Sequence, residues 1–143
     1  MTTWPAWQTD PEAPRLRVRS LLGAIVLAWI SPMGVGVVLL ALSNTLADTS
    51  EAHLNLGIAA ILSFYAPMFS WIGVLPAALL HWGALRNGYG GWATALVIGL
   101  LLGLILSSYL GPLAAIFAPP IAIFYWWVLK LFDPQALRPP PAA

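Results

Sequence analysis

The chain has 143 residues, of which 60% are hydrophobic and 8% charged, with a formal net charge of +1. Ordinary soluble domains carry roughly 25% charged residues, so a soluble fold could not cover its surface with this composition. The six Lys and Arg residues are spread along the chain and form no basic face for nucleic acid. The absence of cysteine excludes disulfides and thiolate chemistry. The composition therefore predicts an integral membrane protein.

Long apolar segments predict an all-α fold, a bundle of four transmembrane helices. Each segment is long enough to cross a hydrocarbon core of roughly 30 Å at about 1.5 Å per residue. The predicted spans cover about 21–42, 54–80, 92–109 and 112–129. They form a single membrane domain, 20–132, between a cytoplasmic arm at 1–19 and a disordered Pro-rich cytoplasmic tail at 133–143.

The arm contains three prolines that forbid a continuous helix, Pro5, Pro11 and Pro14. Its two tryptophans leave two interpretations open, an arm lying on the membrane surface or a disordered tail. We expect no cleaved signal peptide, because the first apolar run is too long for one. Pro32 near the middle of that run removes the helical donor to the Ala28 carbonyl and predicts a kink.

The second predicted span carries small residues at alternating spacings of four and three, a heptad rhythm typical of helix–helix contact. We call this set the heptad seam: Ala59, Ser63, Ala66, Ser70, Gly73 and Ala77. Pro67 in the same span frees a carbonyl that a hydroxyl or water must satisfy. The hydroxyls of Ser63, Tyr65 and Ser70 cluster there. They could line a weakly polar path, although repair of the proline break is the favoured interpretation.

The third predicted span has a small residue at every fourth position, a spacing that keeps them on one slowly winding helical face. We call this set the glycine stripe: Ala95, Gly99, Gly103, Ser107 and Gly111. Ala114, Ala118 and Ala122 repeat the rhythm in the fourth span, which predicts that the two helices pack together. Gly111-Pro112 predicts a tight turn between them, and Pro119-Pro120 predicts a severely distorted fourth helix.

The distribution of positive charge predicts the topology. With four spans, all six Lys and Arg residues fall on one side of the membrane. Because cytoplasmic loops are enriched in Lys and Arg, both termini are predicted to be cytoplasmic. The expected location is the bacterial cytoplasmic (inner) membrane.

Enzymatic chemistry is not expected. His53 and His81 are predicted on opposite sides of the bilayer, and no HExxH arrangement is present. The five carboxylates, Asp10, Glu12, Asp48, Glu51 and Asp133, all lie outside the predicted spans. We therefore expect no metal and no cofactor. An interfacial headgroup site at His81, Arg86 and Trp92 is a weaker alternative to an ordinary membrane anchor.

The leading hypothesis is a non-catalytic accessory or assembly subunit that packs against a larger membrane protein through its small-residue faces. The alternative is a homo-oligomeric permease or channel component that lacks an Asp, Glu, Lys or Arg coupling residue within the membrane. Both hypotheses give the chain the same kinds of partner, which are the lipid bilayer and either another membrane protein or a further copy of itself.

Overall fold

The computed structural model describes residues 4–10, 12–46 and 51–141, and all regular structure in these ranges is helical. The elements are α1 (Val18–Ser43), α2 (Glu51–Tyr65), α3 (Pro67–Arg86), α4 (Trp92–Leu110) and α5 (Leu113–Phe132). Four of them, α1, α3, α4 and α5, are long and apolar enough to cross a membrane. The predicted all-helical chain with four candidate spans is confirmed.

The second span differs from its predicted bounds. A single helix was expected over 54–80, whereas the structure has a break at Ala66 and begins α3 at Pro67. Proline favours the first turn of a helix, because its missing N–H has no partner to lose there. The Trp29 indole donates to the Pro67 carbonyl at 2.7 Å, and the Ala66 N–H donates to the Ser63 carbonyl at 3.3 Å. These contacts hold the new helix start in place.

The other prolines of the candidate spans lie inside continuous helices; they are Pro32, Pro76, Pro119 and Pro120. Pro32 is within α1, and the carbonyl of Ala28 that it leaves without a helical donor accepts the Ser31 hydroxyl at 2.9 Å. The Ser31 hydroxyl thus replaces the donor that Pro32 removes. α5 likewise runs through Pro119 and Pro120 as one helix.

The most extensive helix packing is between α4 and α5, with α1 packed on α2 and on α5. A Cβ atom added at Gly99 would lie 2.5 Å from the Ala122 Cβ, and one added at Gly103 would lie 2.7 Å from the Ala118 Cβ. The two helices therefore approach at distances that only glycine allows. The turn between them matches the prediction, with Gly111 at φ +83° after α4 and Pro112 immediately before α5.

The arm lies across the start of α4. Three of its carbonyls satisfy backbone N–H groups at a helix terminus that has no side-chain cap. The bonds are Gly91 N–H to Trp7 at 3.1 Å, Trp92 N–H to Pro5 at 3.1 Å and Ala93 N–H to Ala6 at 2.8 Å. The described part of the arm is thus folded against the bundle, an arrangement that neither sequence interpretation included.

The tail joins the same end of the bundle. Leu137 is buried among α1 and α5 residues, although disorder was expected from residue 133 onward. Lys130 donates to the carbonyls of Pro134 and Leu137, and Arg138 pairs with Asp10 at 2.6 Å. We call the arm (4–10), the 87–91 loop and the described tail (133–141) the cap. It places the described parts of both termini at one end of the bundle.

Candidate functional site: a cavity between α3, α4 and α5

A cavity of about 350 Å³ lies between α3 and the α4–α5 hairpin. It exists because α3 contacts that hairpin more loosely than α4 and α5 contact each other, and because small residues line it from all three helices. These small residues are Ala66, Ser70, Gly73, Ala77, Ala78, Ala95, Gly99, Gly103, Ala114, Ala118 and Ala122. Among the described residues, none of those that line the cavity is an Asp, Glu, Lys or Arg.

The two predicted small-residue sets are used differently. In the glycine stripe, Gly99 and Gly103 lie directly against α5 alanines. Ser107 bonds the Leu104 carbonyl of its own helix, and Gly111 has open space beside it. In the heptad seam, the four members from Ala66 to Ala77 face the cavity, while Ala59 and Ser63 belong to α2. The structure thus divides the heptad seam at the Pro67 break.

Three polar side chains at the cavity have buried atoms without a hydrogen-bond partner among the described residues. They are the Ser70 hydroxyl, both ring nitrogens of His81 and the Tyr125 hydroxyl. His81 is only 1% exposed and Tyr125 5% exposed. The His81 and Tyr125 rings meet edge to face with centroids 5.6 Å apart. Two of the three groups are therefore adjacent, at one end of the cavity.

The polar end of the cavity is covered by the cap. The backbone of Gly90 and Gly91 runs beside the His81 ring, but neither ring nitrogen makes a hydrogen bond of acceptable geometry to the described residues. The Gly90 carbonyl accepts the Trp126 indole at 2.8 Å instead. Trp4 of the arm packs on Trp126 with centroids 5.3 Å apart. This layer separates the His81 end from the cap surface.

The predicted polar path is brought together only in part. Tyr65 and Ser70 line the cavity, whereas Ser63 is buried on α2 and is absent from the lining. The alternative headgroup site is not assembled either. Arg86 lies over the Trp82 ring at 5.0 Å, while His81 is buried in the cavity wall. These two groups therefore have separate surroundings.

Neither histidine belongs to a group of side chains that could bind a metal ion in the described part of the chain. His53 contacts the Ser43 carbonyl at 3.0 Å, where it links the end of α1 to α2. His81 lies in α3 instead. No group of three His, Asp or Glu residues could hold an ion within the ranges described above. Asp48 lies outside those ranges.

Sequence reasoning assigned His81 to an interface and Tyr125, with Trp126 and Trp127, to an interfacial aromatic anchor, and it did not bring the two together in a site. No spacing signal marks either residue. The heptad seam continues to Leu80 and the α5 alanine row to Trp126, each one position away from the polar ring that lines the cavity.

The four long apolar helices indicate a multi-pass membrane protein. No protein-family model, curated protein or solved structure matches the chain. Its function must therefore be argued from its own geometry.

Proposed function

We propose that this chain is a non-catalytic accessory or assembly subunit of a larger membrane protein. In this proposal it resides in the bacterial cytoplasmic membrane with both termini in the cytoplasm. The topology is supported by the cap, which gathers the arm, the 87–91 loop and the tail at one end. Positive charge next to the spans at that end favours the cytoplasmic side. A reporter attached at the C-terminus tests this point, and an external signal would contradict it.

The observation that carries the subunit proposal is the apolar surface of α2. This helix has 15 residues, too few to be one of the four candidate spans. Its side chains Leu54, Ile58 and Ile61 are nevertheless exposed. Exposed apolar groups are ordinary where lipid covers them, but outside the hydrocarbon core they mark interaction sites.

The lengths of α2 and α3 strengthen this argument. With 15 and 20 residues, the two helices together measure roughly 52 Å at about 1.5 Å per residue. The hydrocarbon core is roughly 30 Å thick. Tilt accommodates part of the difference, and the contact of His53 with Ser43 at the end of α1 places the start of α2 at the edge of the core or beyond it. We propose that a partner membrane protein covers the exposed apolar surface of α2.

The test compares two matched pairs of substitutions. Ile58→Ser with Ile61→Ser removes apolar surface from α2, and Leu101→Ser with Leu104→Ser removes equally exposed surface, at the same spacing, from α4. After purification in a gentle detergent, a membrane protein should accompany the natural chain in fixed stoichiometry. The α2 pair should lose this association and the α4 pair should keep it. A natural chain that purifies alone as a monomer would contradict the proposal.

A second candidate function is favoured by one specific observation. Tyr65 and Ser70, two of the three residues in the predicted polar path, line the cavity. This favours a homo-oligomeric permease component, and His81 adds an ionisable group inside a candidate span. Flux of small uncharged solutes into liposomes that contain the purified protein would distinguish it, because an accessory subunit alone gives none.

A further inference from the structure

The polar end of the cavity has buried atoms that no group of the described chain hydrogen-bonds. A buried donor or acceptor without a partner is unfavourable, and native proteins satisfy nearly all of them. Here the unsatisfied atoms belong to side chains of a single cavity. His81 and Tyr125 are adjacent, which points to a common partner for these two that is not part of the described chain, while Ser70 lies roughly 16 Å further along α3.

The shape of the cavity limits what this partner can be. Its lining on α3 runs from Ala66 to His81, roughly 22 Å at about 1.5 Å per residue. About 350 Å³ spread over that length is a narrow, elongated space, the shape of a hydrocarbon chain rather than of a helix roughly 10 Å across.

The charges around the cavity limit the head of the partner. Arg86 is stacked on Trp82, and Lys130 is bonded to the carbonyls of Pro134 and Leu137. Among the lining residues of the described chain, none carries a fixed charge to pair with an ion. A buried charge without a counter-charge is strongly unfavourable. The head is therefore uncharged.

The polar groups also define the hydrogen bonds that the head makes. A neutral imidazole donates from one nitrogen and accepts at the other, and a phenol or serine hydroxyl does both. Hydroxyl and carbonyl oxygens satisfy such a set. Water could bond at the polar end, but a water molecule needs two to four polar partners, which the apolar remainder of the cavity does not offer.

We propose that this cavity binds one neutral single-chain lipid, with its hydrocarbon chain along α3 and its hydroxyl or carbonyl head at His81 and Tyr125. The proposal rests on the cavity alone and holds for either function considered above. Two sources share this chemistry, long-chain alcohols and alkyl quinones. The lining extends roughly 22 Å along the chain from Ala66 to His81, which is long enough for probes with about ten to twelve chain carbons.

The experiment uses the full chain in nanodiscs and photoreactive analogues of dodecanol and a decyl benzoquinone, with crosslinks located by mass spectrometry. We expect saturable crosslinks to α3 and α5 residues of the cavity with at least one of the two. Dodecanol alone identifies a hydroxyl head and the quinone alone a carbonyl head. Dodecane and dodecyltrimethylammonium are the controls for the head. Each should bind at least about tenfold more weakly than the probe that binds, as expected for one lost hydrogen bond.

Substitutions test the position. Tyr125→Phe should weaken binding about tenfold, and Ala77→Leu should abolish it by filling the cavity. Tyr109→Phe and Ala41→Leu are the matched controls, at exposed positions outside the lining, and should bind normally. If Tyr125→Phe fails to fold, His81→Phe replaces it, since its ring nitrogens have no partner to lose in the described chain. Three results would each overturn the proposal: neither probe binds, the cavity substitutions leave binding unchanged, or dodecane competes as well as the probe. A cavity that holds only water gives the first of these results.

Discussion

The glycine stripe on α4 and the part of the heptad seam that lies on α3 both consist of small residues, but they face different neighbours. Gly99 and Gly103 are in direct contact with Ala122 and Ala118 of α5. Gly73 and Ala77 on α3 face the cavity. A row of small residues thus permits close approach but does not require it. The short turn at Gly111 holds α5 against α4, whereas the longer 87–91 loop, which is part of the cap, joins α3 to α4.

The largest expected effect comes from the closely packed contact between α4 and α5. Gly99→Ile with Gly103→Ile places side chains where Ala122 and Ala118 already lie. Overpacking costs about 1–3 kcal/mol per site, so the pair should destabilise the protein by about 2–6 kcal/mol, measured by unfolding in detergent. Gly34→Ile with Gly83→Ile is the control, because a Cβ at either glycine meets nothing within 4 Å. Equal losses from both pairs would show that α4–α5 contact is not the cause.

A somewhat smaller effect is expected at the cap, which closes the polar end of the cavity. In Gly91→Ala the new methyl group collides with the Ala6 carbonyl of the arm. Displacing the arm removes backbone hydrogen bonds at the start of α4, each worth about 0.5–1.5 kcal/mol net. The arm should then become sensitive to protease. Gly34→Ala controls for the added methyl group, and a protected arm in Gly91→Ala would contradict the arrangement.

A change in the opposite direction is expected inside the cavity. Tyr125→Phe removes a buried hydroxyl that has no partner in the described chain. In protein stripped of lipid, this should raise the free energy of unfolding by about 1 kcal/mol, since an unsatisfied buried group costs about 1–3 kcal/mol. The exposed Tyr109→Phe should leave stability unchanged. Destabilisation by Tyr125→Phe alone would indicate that the hydroxyl has a partner.

The smallest effect is expected from Gly73→Ala. Its Cβ would lie 2.9 Å from Leu106 Cδ1, the far end of a flexible side chain. Leu106 can turn into the cavity that it lines, and alanine is the better helix former by roughly 1 kcal/mol. Stability should change by less than about 1 kcal/mol, in contrast to the glycine stripe. A loss of several kcal/mol would show that α3 is packed as closely as α5.

The sequence was sufficient for the helices whose ends are marked locally. The third span, predicted at 92–109, is α4 at Trp92–Leu110, and the fourth, predicted at 112–129, is α5 at Leu113–Phe132. Gly111-Pro112 separates them by turn chemistry alone. The composition likewise establishes the apolar, all-helical class, because few arrangements other than a membrane bundle tolerate so few charges.

The sequence was insufficient where distant groups decide the outcome. Pro32 and Pro67 look equivalent in the sequence, yet Ser31 bonds the Ala28 carbonyl inside α1, while the Trp29 indole bonds the Pro67 carbonyl at the start of α3. The candidate site has the same character. His81 and Tyr125 are 44 positions apart, and their pairing depends on how three helices meet, which no local spacing encodes.

The pairing of Asp10 with Arg138 has a consequence for the order of synthesis. The arm is translated about 80 residues before the Gly88–Ala93 segment that it contacts. Chains fold as they emerge, from the N-terminal side first. The arm therefore cannot form its contacts with the Gly88–Ala93 segment or Arg138 while α1, α2 and α3 are inserted. The cap therefore closes last, and an arm that resists protease marks a molecule whose biogenesis is finished.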